Sequence, residues 1–303
     1  MIDIKHLDDL EKVLKGKRKK RVAVAYAQDP NTIMAVHKAV DEKLVDAILI
    51  GDKSKIEALC KEKGISSSSF RIIHEPDEQK SGLKAVEMVH NGEADIVMKG
   101  LISTIYYMKA ILHKEKGLLP KGSTLTHIAV LDIPTYDKLL IVSDVAIIPE
   151  PTLKQKIDMT NYCINAAHKL GIKNPKVAII AANEKVSERM QPTLDAAVLS
   201  KMADRHQIKG AIVDGPLALD VALSKEACDI KGLKTPVEGF ADILIFPSIE
   251  TGNVFYKSTT ILAKGSLAGI VVGAKAPVIL TSRADSDDSK YYSILLGAIL
   301  AEE

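Results

Sequence analysis

Val278-Ile279-Leu280-Thr281-Ser282-Arg283-Ala284-Asp285-Ser286-Asp287-Asp288 is the stretch from which the architecture can be read. Its aliphatic opening reads as a buried strand and its middle as a polar turn. Ser286 and the acids behind it read as a helix start, because a hydroxyl and carboxylates complement the free N–H groups of a first helical turn. Strand, short turn and helix in that order form the half-unit of an open α/β sheet, and the turn falls at the strand's C-terminal edge, where such proteins bind ligands. Ser282 offers a hydroxyl and Arg283 a planar fork of donors suited to phosphate or carboxylate, beside backbone N–H groups that favour an anion. A plainer reading is equally physical. Asp285, Asp287 and Asp288 can serve only the helix, and Arg283 can be an ordinary ion-pair partner.

Upstream, short aliphatic runs alternate with amphipathic segments, the pattern of βαβ units and a mainly parallel sheet. Strands are expected over 21–27, 47–51, 71–74 and 96–100, with helices over 31–43, 53–63 and 78–91, the last opened by Asp77. A helix over 103–116 leads to a Gly-, Pro- and Lys-rich loop at 117–122. The runs 127–133 and 138–144 flank Pro134-Thr135-Tyr136-Asp137, a turn-forming tetrapeptide that predicts an antiparallel pair. Alternation then resumes, with helices over 152–170, 187–207 and 252–264 and strands over 176–182, 210–214 and 243–247. Strands over 269–273 and 277–282 precede a final helix over 286–300. The expected division is an N-terminal domain over 1–125 completed by 281–303, and a second α/β domain over 126–280.

A chain of 303 residues is long enough for two such cores. Aromatic residues are only 4% of it and Trp is absent, so the core must be aliphatic, as strands covered on both faces require. The net charge of +2 comes from interleaved acids and bases, which argues against a nucleic-acid partner. The one basic run, over 15–21, lacks stacking aromatics and reads as a solvated helix end before the first strand rather than a phosphate-tracking arm. Cys60, Cys163 and Cys228 form neither a disulfide framework nor a zinc spacing and read as thiols of a reducing compartment. Residues 1–10 are acidic and amphipathic, unlike a secretory signal. The longest apolar stretch, over 267–280, is broken by Lys275 and Pro277 and is too short for a bilayer. A cytoplasmic protein without a membrane partner is therefore expected, and no metal site is read.

The Walker phosphate loop, the dinucleotide-binding Gly-x-Gly-x-x-Gly and the Gly-x-Ser-x-Gly elbow are all missing. A second anion-friendly cluster is present: Lys99-Gly100 ends a strand and Ser103-Thr104 opens the next helix, an arrangement that also serves as a simple cap.

Four runs, Asp214-Gly215-Pro216-Leu217-Ala218-Leu219-Asp220, Ala241-Asp242-Ile243-Leu244, Ile249-Glu250-Thr251-Gly252-Asn253-Val254-Phe255-Tyr256-Lys257-Ser258 and Ala268-Gly269-Ile270-Val271-Val272-Gly273-Ala274-Lys275-Ala276-Pro277-Val278, lead into the Ser282-Arg283 turn. With them the chain resembles the phosphate acetyl/butyryltransferase family over essentially its full length, most densely from Asp214 onward. The resemblance implies reversible transfer of a short acyl group between coenzyme A and inorganic phosphate, with butyryl expected and acetyl the near alternative. It implies two α/β domains like those of isocitrate and isopropylmalate dehydrogenases, with the active site in the cleft between them, and a homodimer or larger homo-oligomer. Coenzyme A enters as substrate or product, and no tightly bound cofactor is implied.

Carried over residue by residue, the resemblance makes Ser282 and Arg283 the catalytic pair and Asp288 the general base. Ser103 and Lys109 fall on a phosphate-binding serine and arginine of the acetyltransferase branch, with Lys99 and Thr104 beside them. Lysine is a departure there, since it gives a point charge without a bidentate fork. Asn253 and Lys257, on the helix after Pro247, either approach coenzyme A or face solvent. Asp214-Gly215-Pro216 reads as a strand-end turn of structural role. Two rivals come from other classes. A metal- and NAD-dependent decarboxylating dehydrogenase of the same fold would need clustered aspartates and a nucleotide site, neither of which is evident, and a noncatalytic acyl-CoA-binding protein would need no catalytic group.

Overall fold

The computed structural model describes residues 4–281 and 286–301. Chain order runs α1 (Asp9–Leu14), β1 (Lys20–Ala25), α2 (Pro30–Asp41), β2 (Val45–Gly51), α3 (Lys53–Glu62), β3 (Arg71–His74), α4 (Glu78–His90), β4 (Ile96–Lys99) and α5 (Thr104–Ile111). It continues through β5 (Thr126–Asp132), β6 (Leu140–Ser143), α6 (Leu153–Lys169), β7 (Lys176–Ile180), α7 (Gln191–Asp204), β8 (Ile212–Leu217), α8 (Leu219–Leu223), α9 (Lys225–Lys231), β9 (Ile243–Ile245) and α10 (Ile249–Ile261). The last elements are β10 (Ser266–Val272), β11 (Val278–Ile279) and α11 (Asp287–Leu300).

These form two compact units, one of Leu7–Leu125 with Leu267–Glu303, the other of Met1–His6 with Thr126–Ser266. The chain thus returns to the first unit at Leu267, earlier than the 281 expected from sequence. Strand pairing is the reason: β11 lies parallel to β4, with Val278 opposite Val97 and Ile279 opposite Met98, and β10 joins β11 antiparallel.

In the first unit the strands lie in the order β3-β2-β1-β4-β11-β10. β3, β2, β1, β4 and β11 are mutually parallel. The strand order reverses between β1 and β4, the switch point at which open sheets leave a crevice outside the C-terminal ends of the strands. The centres of β1, β2 and β4 are buried and aliphatic, as strands covered on both faces must be. Helices begin at that same edge on side-chain caps: Asp29 accepts from Thr32 N–H, Asp52 from Ser54 and Lys55, Asp77 from Lys80 and Ser103 from Tyr106. α11 is buried on most of its circumference, as a helix that completes a core should be. Its Ser293 hydroxyl accepts from Gly269 N–H at 2.9 Å, tying it to β10.

The second unit has the order β5-β6-β9-β7-β8. β5 and β6 are antiparallel, as the Pro134–Asp137 turn predicts, and the other pairs are parallel. Asp214-Gly215-Pro216 is no strand-end turn, as the sequence suggested, but lies inside β8. β8 is the last strand of this order, and an edge position tolerates a proline that cannot donate to a neighbour. Asp214 accepts a 2.6 Å hydrogen bond from Thr235.

Candidate active site

β4 ends at Lys99 and β11 at Ile279, and their parallel register brings the turn that follows each to the same edge of the first unit's sheet. Lys99-Gly100 and Leu280-Thr281 therefore leave the sheet as neighbours. Ser282 and Arg283, with Asp285, lie outside the described residues. The bracketing Thr281 is buried, and Ser286 caps α11 by accepting from Ser289 N–H at 3.1 Å.

The Gly100 turn is fixed by backbone geometry. Gly100 N–H donates to Ala25 O at 2.9 Å and Leu101 N–H to Tyr26 O at 2.8 Å. A Cβ at position 100 would meet those carbonyl oxygens at 2.7 and 2.6 Å, closer than carbon and oxygen can pack, so only glycine closes this side of the switch point. Tyr26 takes a left-handed φ of 54°, and its N–H donates to the Ser81 hydroxyl at 2.7 Å. Ser81 in turn donates to Ile50 O at 3.1 Å. Beneath the turn the buried Tyr107 hydroxyl sits 3.1 Å from the carbonyl oxygens of both Val97 and Ile279 and so joins β4 to β11. Burial holds its pKa well above the usual phenol value, so it acts as a neutral donor.

Lys99 is buried, and its ammonium lies 3.3 Å from Gly100 O. Ser103 caps α5, and its own N–H donates to the carboxylate of Glu78 at 2.5 Å. The protein's own anion thus occupies one donor at this helix start. Thr104 is exposed in the first turn. Lys109 stands in the last turn of α5, six residues and roughly 9 Å beyond Ser103 along the axis. It lines a groove against α4 rather than joining Ser103 at the cap. Asp288, in the first turn of α11, is 72% exposed and lies 3.7 Å from the Lys38 ammonium. Lys38 also sits 4.0 Å from the centroid of the Tyr291 ring, which orients it beside Asp288.

Asn253 and Lys257 belong to the other unit. Asn253 donates to Val145 O at 3.0 Å, anchoring α10 to the segment after β6. Lys257 is exposed, with its ammonium 5.2 Å from the Tyr256 ring centroid. The buried Asp144 carboxylate organises that segment, accepting from Thr126 Oγ1 and the N–H groups of His127, Ala146 and Ile147 at 2.7 to 2.8 Å.

Glu78, Ser81, Tyr26, Tyr107 and Lys38 were not singled out by the sequence. Among the described residues no group of three or more His, Cys, Asp or Glu side chains is placed to hold a metal ion, and no helix is long and apolar enough to cross a membrane.

Comparison with known proteins shows the family to which the chain belongs. The phosphate acetyl/butaryl transferase family model matches residues 6–82 and 77–298. The chain is 48% identical to the phosphate butyryltransferase of Clostridium acetobutylicum over 98% of its own length and 99% of that protein's. It is 44% identical to the phosphate acetyltransferase of Thermotoga maritima, covering 97% of this chain and 99% of the relative. Among solved structures, a branched-chain phosphotransacylase from Enterococcus faecalis superposes with a TM-score of 0.83 at 31% identity, covering 93% of this chain and 98% of that one. Matched along nearly its whole length in both sequence and fold, the chain belongs to the phosphate acetyl/butaryl transferase family of acyltransferases.

Proposed function

We propose that this enzyme transfers a short acyl group, butyryl in preference to acetyl, reversibly between coenzyme A and inorganic phosphate. The observation that supports the reading is the parallel pairing of β11 with β4, so that Ile279 and Lys99 end their strands at one sheet edge. In one direction phosphate attacks the thioester carbonyl of butyryl-CoA, the C–S bond breaks, and butyryl phosphate and free coenzyme A leave. In the other the coenzyme A thiolate attacks butyryl phosphate and expels phosphate. Neither direction needs a covalent acyl-enzyme.

Ser282 and Arg283 are assigned to hold the phosphate and to stabilise the negative charge that develops on the carbonyl oxygen, the role in which fixed donors contribute most to rate. Asp288 is assigned to take the thiol proton. A free thiol has a pKa of about 8.5 and is mostly protonated at neutral pH, so a carboxylate beside it serves as the general base that accepts its proton as the sulfur attacks. The exposure of Asp288 lets it pass that proton to water. Lys99, Ser103 and Thr104 are assigned to the phosphate at the start of α5, Lys109 to a phosphate of the substrate, and Asn253 and Lys257 to coenzyme A. Coenzyme A is a substrate here and no bound cofactor is invoked. The isocitrate and isopropylmalate dehydrogenase-like kinship of the two units, a homo-oligomeric assembly and a cytoplasmic location belong to the same proposal.

Thiol release from butyryl-CoA, measured with and without phosphate, tests it. Phosphate-dependent release with formation of butyryl phosphate is expected. Phosphate-independent cleavage, or no turnover, would overturn the acyl-transfer reading.

A further inference from the structure

Four lysines are buried among the described residues: Lys20, Lys99, Lys156 and Lys290. An enclosed ammonium is uncommon unless its charge has a use. Lys156 has its counter-charge in Asp195 of α7 at 2.6 Å, and Lys20 opens β1 at the N-terminal edge of the parallel strands. The other two come to the opposite edge. Lys99 ends β4, and Lys290 stands one helical turn past the Ser286 cap of α11. Lys290, Ser293, Ile294 and Gly297 share one face of that helix by their spacing. The face lies on the sheet: the Ser293 hydroxyl accepts from Gly269 N–H of β10, and a Cβ at Gly297 would meet the side chains of Ile279, Ile96 and Ile270 at 3.3 to 3.6 Å. Lys290 precedes Gly297 by seven helical residues, roughly 10 Å, and Lys99 follows Ile96 by three strand residues, also roughly 10 Å. Lys290 is therefore level with Lys99, beside the ends of β4 and β11.

A cation in that place opposes the local electrostatics. The start of a helix favours acids, and α11 has Asp287 and Asp288 there, both exposed. Lys290 is instead 2% exposed, close to N–H groups that already carry partial positive charge. Burial and the dipole both oppose it, and an anion at this edge is what such a charge serves. We infer that Lys290 is a further residue of the phosphate site, supplying with Lys99 a fixed positive charge that holds the transferred phosphoryl group. An enclosed ammonium is screened less than one on the surface and so acts more strongly on phosphate oxygens. A neutral acyl chain would gain nothing from either lysine. The inference rests on the acyl-transfer reading above for the identity of the anion. It also gives Lys290 a role apart from that of Lys38, the partly exposed lysine beside Asp288.

The test uses the full chain, inorganic phosphate as probe and Lys290→Met, which removes the charge and keeps an unbranched side chain. KM for phosphate should rise about tenfold, the scale of one charge-assisted contact, while KM for butyryl-CoA stays within about twofold. At phosphate about 100 times the parent's dissociation constant, the rise in Tm that phosphate gives the variant should be about half that of the parent. An unchanged KM for phosphate would overturn the inference, as would a rise confined to KM for butyryl-CoA or a lower Tm without phosphate accompanied by an equal phosphate-induced rise. Should Lys290→Met not fold, Lys290→Gln carries the same expectations, and failure of both to fold would make Lys290 a structural cation and overturn its role at the phosphate. Phosphate stabilisation that depends on Lys290 in an enzyme that does not turn over butyryl-CoA would keep the site and remove acyl transfer. Phosphate-dependent turnover indifferent to the substitution would do the reverse.

Discussion

Charge is distributed unevenly around the start of α5, where Ser103 N–H already meets Glu78 while Lys99 lies beneath. A phosphate bound at this helix start, as proposed, would approach past that carboxylate. Glu78→Gln should therefore lower KM for phosphate roughly three- to tenfold, the equivalent of about 1 kcal/mol of relieved repulsion, as phosphate saturation curves would show. Arg283→Ala should reduce kcat by about a hundredfold to a thousandfold, the usual cost of removing a donor to a developing oxyanion, and near-normal turnover would remove Arg283 from the mechanism. Asp288→Asn should slow the thiol-consuming direction most and flatten the acidic limb of its pH-rate profile. An unchanged profile would leave Asp288 as a dipole-complementing acid of α11. At this scale the sequence was only partly legible. The helix-start positions of Ser103 and Asp288 were readable because helix starts have a local signature, whereas their assigned roles come from the family resemblance. Glu78 was not, because one residue past Asp77 it reads as an ordinary first-turn acid, and its partner is 25 residues away in sequence.

Elements hold those residues in place through a few close approaches. Gly100→Ala would drive a Cβ into the carbonyl oxygens of Ala25 and Tyr26 and should cost about 1–3 kcal/mol, measurable by denaturant unfolding, with activity falling as the turn shifts. At the opposite ends of the same strands, Arg21 on β1 binds Asp95, just before β4, with its Nε 3.0 Å from Oδ2 and its backbone N–H 2.7 Å from the same oxygen. Burial pushes the Asp95 carboxyl up, but the two Arg21 contacts outweigh it and hold the pKa below the usual carboxylate value. A depressed folded-state pKa gives stabilisation that is present above the unfolded value of about 3.9 and is lost as pH falls through the folded one. Asp95→Asn should thus destabilise the fold by roughly 1–2 kcal/mol at pH 7, with the gap to the parent closing below about pH 4. Periodicity made most of these elements readable, since aliphatic runs and amphipathic segments differ locally. It overextended α5, expected to reach residue 116 but ending at Ile111, and it missed α8 and α9, which are too short for a sustained apolar repeat. The placement of Asp214-Gly215-Pro216 within β8 was hidden because Gly-Pro carries the same composition at an edge strand as in a turn.

For the whole molecule, the sequence suggested a discontinuous first unit because the final helix, following a strand of the second half, was free to return to it. It could not say where the chain returns. That depends on pairing between β11 and β4, whose partners lie about 180 residues apart and leave no local trace. The same topology has a consequence for synthesis. Chain emerging from a ribosome offers residues 7–125 first, yet the apolar faces that α11 covers stay open until the last turn is made. At about 5–20 residues per second, the growing protein spends on the order of ten seconds or more with those faces exposed, while residues 126–266 are already complete and free to fold. A segment made after the second unit seals the unit made before it, so the unfinished first unit is a natural client for chaperones.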